Sequence, residues 1–511
     1  MSETVTTGGA GASGAPPRPT AAASDQAPHH DEHHARRWWI LGVIGLAQLM
    51  IVLDATIVNI ALPDAQKALA FSNGDRQWIV TAYSLAFGGL LLFFGRIADL
   101  IGRRNAMLVG LVGFAIASAL GGAAPNFEIL VIARALQGAA GAMLAPAALS
   151  LLTTTFTDAK ERATAFAVFG GIAGSGAAIG LLLGGLLTEY LNWRWTLFVN
   201  LLLTVPALVG TLLLLRRERS GHRPKLDLFG TVAVSISLFS LVYGFSNASS
   251  HSWSAPSTWG YLAVGAVLLA VFAWWQTRAS HPLMPLRILL DRDRGGSFLA
   301  VFITGAGMFG VFLFLTYYLQ VMLGYSPIKT GLAFLPMIGV LMIAATLATT
   351  RLMPRLGARP MVAVGMLMSA GSMAWLTGIG LTSDYTGEVL GPLLLIGVGL
   401  GLVMAPAMGV ATFGVDKEDA GVASALVNTM QQVGGSIGTA LLNTLAASAA
   451  TAYALGKPKT AQVEAMAQLH SYSTAFWWSA GIFAVGTIIC GLLLRPGVQT
   501  PSADAAPAVH T

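Results

Sequence analysis

Two charged residues, Asp54 and Arg134, lie inside long apolar runs of the sequence. On insertion scales each would cost ~2.5–3.5 kcal/mol near the middle of a membrane, so unpaired exposure to lipid is not expected. Burial favours the neutral form of a carboxyl, whereas a neighbouring arginine favours its charged form. A cavity-lining pair could therefore take up and release a proton as its separation changes. The alternative is a permanent ion pair that fixes helix packing.

Neutral polar residues are also scattered through the apolar runs, Asn200 and Gln320 among them. Some could line a cavity for a bulky apolar or cationic ligand, although hydrogen bonding between helices is the simpler explanation for each one alone. The candidates for a substrate cavity are Asn59, Tyr83, Gln137, Tyr317, Asn428 and Gln432.

Glycines recur every fourth residue at Gly176, Gly180 and Gly184, and Gly185 follows. This spacing places small residues on one helix face and favours close approach of a second helix. The face is either a static packing surface or a sliding contact between two halves of the protein that gates access.

Residues 95–104 form a short basic segment between two apolar runs, which predicts a tight connection that gates the cytoplasmic side. A similar segment occurs 255 residues later, where Gly102 corresponds to Gly357. The simplest explanation is an internal repeat of the kind found in secondary transporters. The residues of the first segment that carry this prediction are Gly95, Arg96, Asp99, Gly102, Arg103 and Arg104.

The elements that must position these residues are membrane helices. Of the 511 residues, 55% are hydrophobic and only 10% are charged, which is too little charge to cover a soluble surface. Runs of about 20 apolar residues predict spanning helices and an all-α polytopic membrane protein. The fourteen predicted runs are 38–61, 77–94, 106–123, 128–151, 163–188, 196–215, 228–246, 259–277, 297–319, 328–350, 360–381, 390–413, 420–445 and 474–494.

The basic residues test this count. With a cytoplasmic N-terminus, 22 lysines and arginines fall in inner segments, six in outer segments, and Arg134 within a span. This asymmetry predicts fourteen spans with both termini cytoplasmic. Asp54 and Arg134 then both lie about 10–12 Å below the outer surface. The predicted parts are a disordered tail (1–37), a six-helix bundle (38–215), a linker (216–227), two inserted helices (228–277), a linker (278–296), a second six-helix bundle (297–494) and a tail (495–511).

Several other classes of function lack their signals. The sequence has no GxxxxGK[ST] phosphate-binding pattern and no HExxH zinc motif, and its one cysteine, Cys490, excludes an intrachain disulfide. His29, His30, His33 and His34 form a tract that could bind a metal, but a solvated tail is the simpler interpretation. The net charge of +6 follows membrane topology and does not indicate a nucleic-acid partner. We expect no enzyme activity, metal or cofactor, and transport driven by an ion gradient.

Four segments resemble the major facilitator superfamily, and within it the fourteen-helix drug:proton antiporters of the quaternary-ammonium and multidrug efflux type. They are the first-helix segment LDATIVNIALP (53–63), the loop 95–104, the fourth-helix segment IARALQGAAGA (132–142) and the fifth-helix segment GAAIGLLLGG (176–185), which TEYLNWRWTLFVN follows. The resemblance implies proton coupling at Asp54 and Arg134. It departs from the antiporter pattern at Leu181, where a proline is usual, so the proline kink is missing.

The resemblance implies a plasma-membrane exporter, expected to be monomeric, that moves small molecules by alternating access in exchange for protons. Alternatives are an exporter of an endogenous metabolite or lipid, and a membrane scaffold or sensor that no longer transports. A buried charge such as Asp54 argues against the scaffold, which has no use for it.

Overall fold

The computed structural model describes residues 28–156, 158–215, 227–415 and 419–497. The predicted linker residues 216–226 and most of both predicted tails lie outside these ranges. Within them the chain forms α-helices, three short π-helical segments and connecting turns, without strands. The π-helical segments are Tyr318–Met322, Ala348–Leu352 and Tyr385–Val389. The helices are α1 (Pro28–Leu69), α2 (Gln77–Ile101), α3 (Arg103–Gly122), α4 (Phe127–Thr155), α5 (Ala159–Tyr190), α6 (Trp195–Leu214), α7 (Leu228–His251), α8 (Pro256–Arg278), α9 (Leu286–Leu290), α10 (Arg292–Tyr317), α11 (Pro327–Leu347), α12 (Met353–Leu356), α13 (Ala358–Leu376), α14 (Leu390–Thr412), α15 (Ala420–Ala454) and α16 (Ala461–Leu493).

Polar caps define where several helices begin. The Asn126 side chain accepts a hydrogen bond from the backbone N–H of Ile129 at the start of α4, over 3.0 Å. Asp291 does the same for the start of α10, and Ser326 for α11, whose first residue is Pro327. Such caps satisfy N–H groups that have no partner within the helix.

Within the described ranges, twelve helices are long and apolar enough to cross a membrane. They overlap twelve of the fourteen predicted runs. The other two runs, 360–381 and 420–445, form α13 and α15, which are not among the twelve. Both pack against several other helices, α13 on α14 and α16, and α15 on α2, α7, α10 and α16. Helices that face protein on several sides can carry more small and polar residues than lipid-facing ones.

Two sets of helices pack in the same pattern. In the first bundle (α1–α6), α1 packs on α5 and α6, and α4 packs on α2 and α3. In the second bundle (α10–α16), α10 packs on α15 and α16, and α14 packs on α11 and α13. The bundles meet through α2 against α15 and through α5 against α11, which are equivalent pairs in the two sets.

The predicted repeat also shares a backbone conformation. Gly102, between α2 and α3, has φ 87°, and Gly357, between α12 and α13, has φ 75°. A side chain at either position would be strained, because L-residues rarely adopt positive φ. The bundles share an arginine cap as well: Arg36 donates to the Leu214 carbonyl of α6 over 3.0 Å, and Arg292 donates to the Leu493 carbonyl of α16 over 2.6 Å.

Helices α7 and α8 form a hairpin beside the junction of α2 and α15. The Gln77 amide of α2 donates to Ser246 of α7 over 2.8 Å, and Thr444 of α15 donates to the Phe245 carbonyl over 2.8 Å. The buried Asp227 joins the two hairpin helices, since it accepts hydrogen bonds from Gly230 of α7 and Gln276 of α8, each over 2.8 Å. Through Ser246 and Phe245, α7 contacts α2 of the first bundle and α15 of the second.

Candidate functional site

The two charged residues predicted inside spans form an ion pair. Asp54 lies in α1 and Arg134 in α4, and Arg134 Nη1 lies 2.5 Å from Asp54 Oδ2. Asp54 is 0% exposed and Arg134 is 1% exposed. Sequence position alone gave the two residues similar depths, and the packing of α1 against α4 brings them into contact.

Two amide side chains complete the surroundings of the carboxylate. Gln137 Nε2 donates to Asp54 Oδ1 over 3.1 Å, and Asn200 Nδ2 donates to the same oxygen over 2.7 Å. Gln137 lies one turn after Arg134 in α4, and Asn200 lies in α6. Gln137 Nε2 also donates to Ser118 of α3, over 2.8 Å. Helices α1, α4 and α6 therefore meet at Asp54, and α3 joins them through Gln137.

The arginine is held by other groups besides the carboxylate. Arg134 Nε donates to the Ile79 carbonyl of α2 over 3.0 Å, and Nη1 donates to Gln137 Oε1 over 2.8 Å. Its guanidinium carbon lies 4.4 Å from the centre of the Tyr83 ring, in cation–π contact. These contacts hold the guanidinium independently of the carboxylate.

A buried pair of this kind is sensitive to small displacements. Two opposite charges that are removed from water attract each other strongly at short range. When one partner moves away, the buried charge that remains costs on the order of several kcal/mol in lost solvation. A neutral carboxyl avoids most of that cost.

A small cavity of about 10 Å³ lies beside the pair. Arg134 is the one charged residue among the described residues that line it, and most of the rest are apolar, among them Leu62, Ile79 and Trp193. Ligand pockets usually measure roughly 300–1,000 Å³, whereas a volume of roughly 10–15 Å³ holds one water molecule, so this cavity has no room for a drug-sized molecule. The cavity leaves a small unfilled space next to Arg134.

The glycine face of α5 packs within the first bundle. A Cβ atom at Gly176 would lie 3.0 Å from Val52, and one at Gly184 would lie 2.8 Å from the Ile57 carbonyl, both in α1. At Gly180 it would meet the Thr56 hydroxyl. The sliding contact between halves is therefore not made by these three glycines.

The neighbouring residues of α5 make the contact between bundles. A Cβ atom at Gly185 would lie 2.8 Å from the Pro327 carbonyl of α11, and one at Gly331 of α11 would lie 2.6 Å from the Leu181 carbonyl. Leu181, which stands where the antiporter pattern has proline, is itself fully buried. One flank of α5 thus supports Asp54 through α1, and another contacts the second bundle.

The segment 95–104 is mostly helical, contrary to the predicted loop. Helix α2 continues through residues 95–101, and Gly102 alone breaks the chain direction. Gly95 packs on Pro146 of α4, where an added Cβ would lie 3.7 Å away, and Arg104 donates to the Leu212 carbonyl over 3.4 Å. Arg96 is half-buried and Arg103 has a partner of its own, while the Asp99 side chain lies outside the described part.

The polar residues predicted to line a cavity separate into groups. Gln137 and Tyr83 belong to the Asp54–Arg134 cluster. Asn59 is buried and donates to the Ala55 carbonyl of its own helix over 3.2 Å. Asn428 is exposed and Gln432 is half-buried, both in α15. Tyr317 lies elsewhere, at the end of the molecule where the bundles meet.

That end of the molecule, the closed end, is defined by hydrogen bonds between the bundles. Tyr317 donates to Gln66 Oε1 over 2.6 Å, and Gln320 donates to the Ile60 carbonyl over 3.0 Å. The Glu189 carboxylate accepts a hydrogen bond from the backbone N–H of Ile328, over 3.0 Å, at the start of α11. A carboxylate at a helix N-terminus is also favoured by the helix dipole.

Arg76 is a functional candidate that the sequence did not reveal. It is 2% exposed, its Nε donates to Asn443 Oδ1 of α15 over 3.1 Å, and its guanidinium lies 4.3 Å from the Tyr317 ring centre. Asn443 also donates to the carbonyls of Asn73 and Gly74, each over 3.3 Å. By sequence, Arg76 is one more basic residue of an outer segment, and nothing in its neighbourhood marks it as buried.

Within the described residues, no group of three or more histidine, cysteine, aspartate or glutamate side chains is placed to hold a metal ion.

Comparison with known proteins adds to this geometry. The sequence profile of the Major Facilitator Superfamily matches residues 44–439. The puromycin resistance protein pur8 of Streptomyces alboniger is 45% identical over 468 residues, which cover 90% of this chain and 93% of that protein. The cephamycin export protein CmcT of Amycolatopsis lactamdurans is 38% identical, over 79% of this chain and 83% of that protein.

Two further matches extend the comparison. The tetracenomycin C resistance and export protein of Streptomyces glaucescens is 35% identical, over 78% of this chain and 74% of that protein. The crystal structure of a bacterial homologue of the human lysosomal transporter Spinster superposes with a TM-score of 0.60 over 92% of this chain and 97% of that chain, at 15% identity. At this identity the structural match concerns the fold alone.

Proposed function

Because the chain belongs to the Major Facilitator Superfamily, we propose that it is a proton-coupled exporter of small hydrophobic or cationic compounds, antibiotics among them. The buried pair Asp54–Arg134 is the observation that carries the proton coupling. Three relatives with 35% to 45% identity are resistance or export proteins for puromycin, cephamycin and tetracenomycin C, which supports an antibiotic-like substrate. The protein is a transporter and not an enzyme.

The transport cycle proceeds by alternating access. The two bundles rock about the contacts α2–α15 and α5–α11, so that a site between them opens to one side of the membrane at a time. The hydrogen bonds of the closed end join the bundles on the outer side in this conformation. Substrate enters from the cytoplasm or inner leaflet, and the closed end separates to release it.

Proton exchange drives the cycle through Asp54. When the site opens outward, Asp54 takes a proton, the ion pair loosens, and the carrier returns to the inward-open state. When the site opens inward, the proton leaves to the cytoplasm and Arg134 again pairs with the carboxylate. Proton entry and substrate exit are thus linked without a cofactor, and the protein acts as a monomer in the plasma membrane.

Vesicle transport tests this function. Inverted membrane vesicles that contain the protein should accumulate dyes and antibiotics from a panel when a proton gradient is applied, and collapse of the gradient should release them. Equal accumulation in vesicles without the protein would refute the proposal. The panel should include hydrophobic cations and uncharged antibiotics, because the pair Asp54–Arg134 leaves no net charge at the site.

The proposed topology is fourteen spans with both termini cytoplasmic, in the manner of the fourteen-helix drug:proton antiporters. On a Cys490→Ser background, we expect a membrane-impermeant maleimide to label Lys459→Cys in whole cells and to label Arg355→Cys only in inverted vesicles. The reason is the concentration of basic residues in inner segments, Arg355 included. Labelling of Arg355→Cys from outside would contradict this topology.

The closed end should open more readily in Asn443→Ala. The variant loses the two hydrogen bonds that Asn443 donates to the first bundle and the one that it accepts from Arg76. The buried Nε of Arg76 is left without its acceptor, which costs about 1–3 kcal/mol for an unsatisfied buried group. A shift of about tenfold toward the outward-open state is expected. Spin labels at Lys67 and Lys329, one in each bundle, should then show a larger population of long distances.

Thr451→Val is the matched control for Asn443→Ala. Thr451 is exposed on the same helix, and its hydroxyl donates to the Ala447 carbonyl of that helix over 3.0 Å. Its distance distribution should equal that of the parent protein. An unchanged distribution in Asn443→Ala would show that these hydrogen bonds do not hold the outer side closed.

A further inference from the structure

Three hydrogen-bond donors converge on the Asp54 carboxylate. Arg134 Nη1 contacts Oδ2, and the amide nitrogens of Gln137 and Asn200 contact Oδ1. This arrangement suits a carboxylate, which only accepts hydrogen bonds. A protonated carboxyl carries an O–H group that must donate, and a buried donor without an acceptor costs roughly 1–3 kcal/mol. The site as arranged therefore serves one of the two protonation states.

The side-chain oxygens of Gln137 and Asn200 differ in whether they already accept a hydrogen bond. Gln137 Oε1 already accepts a hydrogen bond from Arg134, over 2.8 Å. Asn200 Oδ1 is buried and has no hydrogen-bond partner among the described residues. Asn200 is thus a fully buried side chain with an unused acceptor, attached to the same amide group whose nitrogen lies 2.7 Å from Asp54.

We propose that Asn200 is a positioning residue that stabilises both protonation states of Asp54, by rotating its side-chain amide. With the carboxylate, Nδ2 donates to Asp54 Oδ1, as in this structure. When Asp54 takes a proton from water, the Asn200 amide rotates by about 180° about its Cβ–Cγ bond. Asn200 Oδ1 then accepts a hydrogen bond from the O–H of the protonated carboxyl. The inference rests on the proposed proton coupling and adds the group that makes the neutral state tolerable.

Rotation of the Asn200 amide exchanges the positions of Nδ2 and Oδ1 and requires no movement of its helix. The oxygen and nitrogen of an amide are nearly equal in size, so their exchange changes no packing volume. The Asn200 backbone is fixed within α6, and its carbonyl also accepts a hydrogen bond from Thr204 over 2.7 Å. The proton itself passes between water and Asp54, so Asn200 neither gains nor loses one.

Infrared difference spectroscopy on the purified protein in lipid tests this role. The carbonyl stretch of protonated Asp54, identified by its absence in Asp54→Asn, should appear when the pH is lowered and move to higher frequency in Asn200→Leu, because the carboxyl loses its acceptor. Asn200→Gln, which keeps donor and acceptor, should leave the band near its parent position. An unshifted band in Asn200→Leu would overturn the proposal.

Transport assays on the same variants give a second readout. In Asn200→Leu, proton-driven uptake into inverted vesicles should fall at least tenfold, whereas Asn200→Gln, which keeps donor and acceptor, should retain most of it. Thr211→Val removes a buried hydroxyl of α6 that donates to the Ala207 carbonyl of the same helix, and it should leave uptake at the parent rate. Equal loss of uptake in Asn200→Leu and Asn200→Gln would indicate a structural role and overturn the inference.

The two proposals fail differently. If lowering the pH produces no Asp54 band in the parent protein, the proposed proton coupling fails and the role of Asn200 fails with it. If the band appears but Asn200→Leu leaves both the band and the proton-driven uptake unchanged, only the inference about Asn200 is wrong.

Discussion

Asp54→Asn is expected to abolish proton-driven efflux while the protein still folds and inserts. Asparagine keeps the shape of the side chain and removes the group that titrates. Arg134 retains the Ile79 carbonyl, Gln137 and the Tyr83 ring, so the guanidinium is not left without partners. A proton that moves through 100 mV supplies about 2.3 kcal/mol, which corresponds to roughly fiftyfold accumulation of substrate per charge. That accumulation should be lost.

The measurement for Asp54→Asn uses a pH-sensitive dye in proteoliposomes, with substrate added after a pH jump. The parent protein should release protons when substrate is added, and Asp54→Asn should not. Asp54→Glu is the matched control: it retains a carboxylate and should keep part of both activities. Uphill transport by Asp54→Asn at the parent rate would show that the ion pair is structural and that coupling occurs elsewhere.

Gly180→Leu is expected to reduce transport to less than a tenth of the parent rate at normal abundance. A Cβ atom at Gly180 would meet the Thr56 hydroxyl and lie 3.1 Å from the Leu53 carbonyl, both in α1. Leu53 directly precedes Asp54. Overpacking of this kind typically costs about 1–3 kcal/mol and displaces backbone. Displacement of α1 would move Asp54 relative to Arg134 in α4.

Gly170→Leu is the matched control on the same helix, since a Cβ atom at Gly170 would meet no atom within 4 Å. Both variants are compared for uptake in inverted vesicles, for abundance in membranes, and for elution as a single species after solubilisation. Gly170→Leu should transport at the parent rate. If Gly180→Leu transports at full rate too, α1 and α5 do not need to approach as closely as the structure shows.

The candidate site illustrates how far a single sequence can be interpreted. Asp54 and Arg134 could be identified because a charged side chain within a membrane span has a high solvation cost, whichever way its helix is rotated. Its presence therefore requires a partner or a cavity. Asn200 had no such signal, because a buried amide in a membrane helix usually bonds another helix. The contact of Asn200 with Asp54 depends on how α6 is rotated toward α1, and that rotation follows from packing.

Other expectations were changed by helix packing for the same reason. The glycine spacing of α5 predicted close approach of another helix, and in the structure the helix that lies against these glycines is α1 of the same bundle. The segment 95–104 contains charges and glycines typical of a loop, yet its first part continues α2, because one glycine with positive φ suffices to reverse the chain. Membership of the superfamily, in contrast, follows from motifs that the sequence carries locally.

By itself, the sequence determined that this is a helical membrane protein and which two charges lie within its spans. Those properties depend on composition along each segment, and the solvation cost of a residue is nearly independent of its neighbours in space. Only the tertiary structure decided the partners: the contact of Asp54 with Arg134, Gln137 and Asn200, and the burial of Arg76 between the bundles. Depth along a helix follows from its rise of about 1.5 Å per residue, whereas the neighbour it faces depends on the packing of residues far apart in the chain.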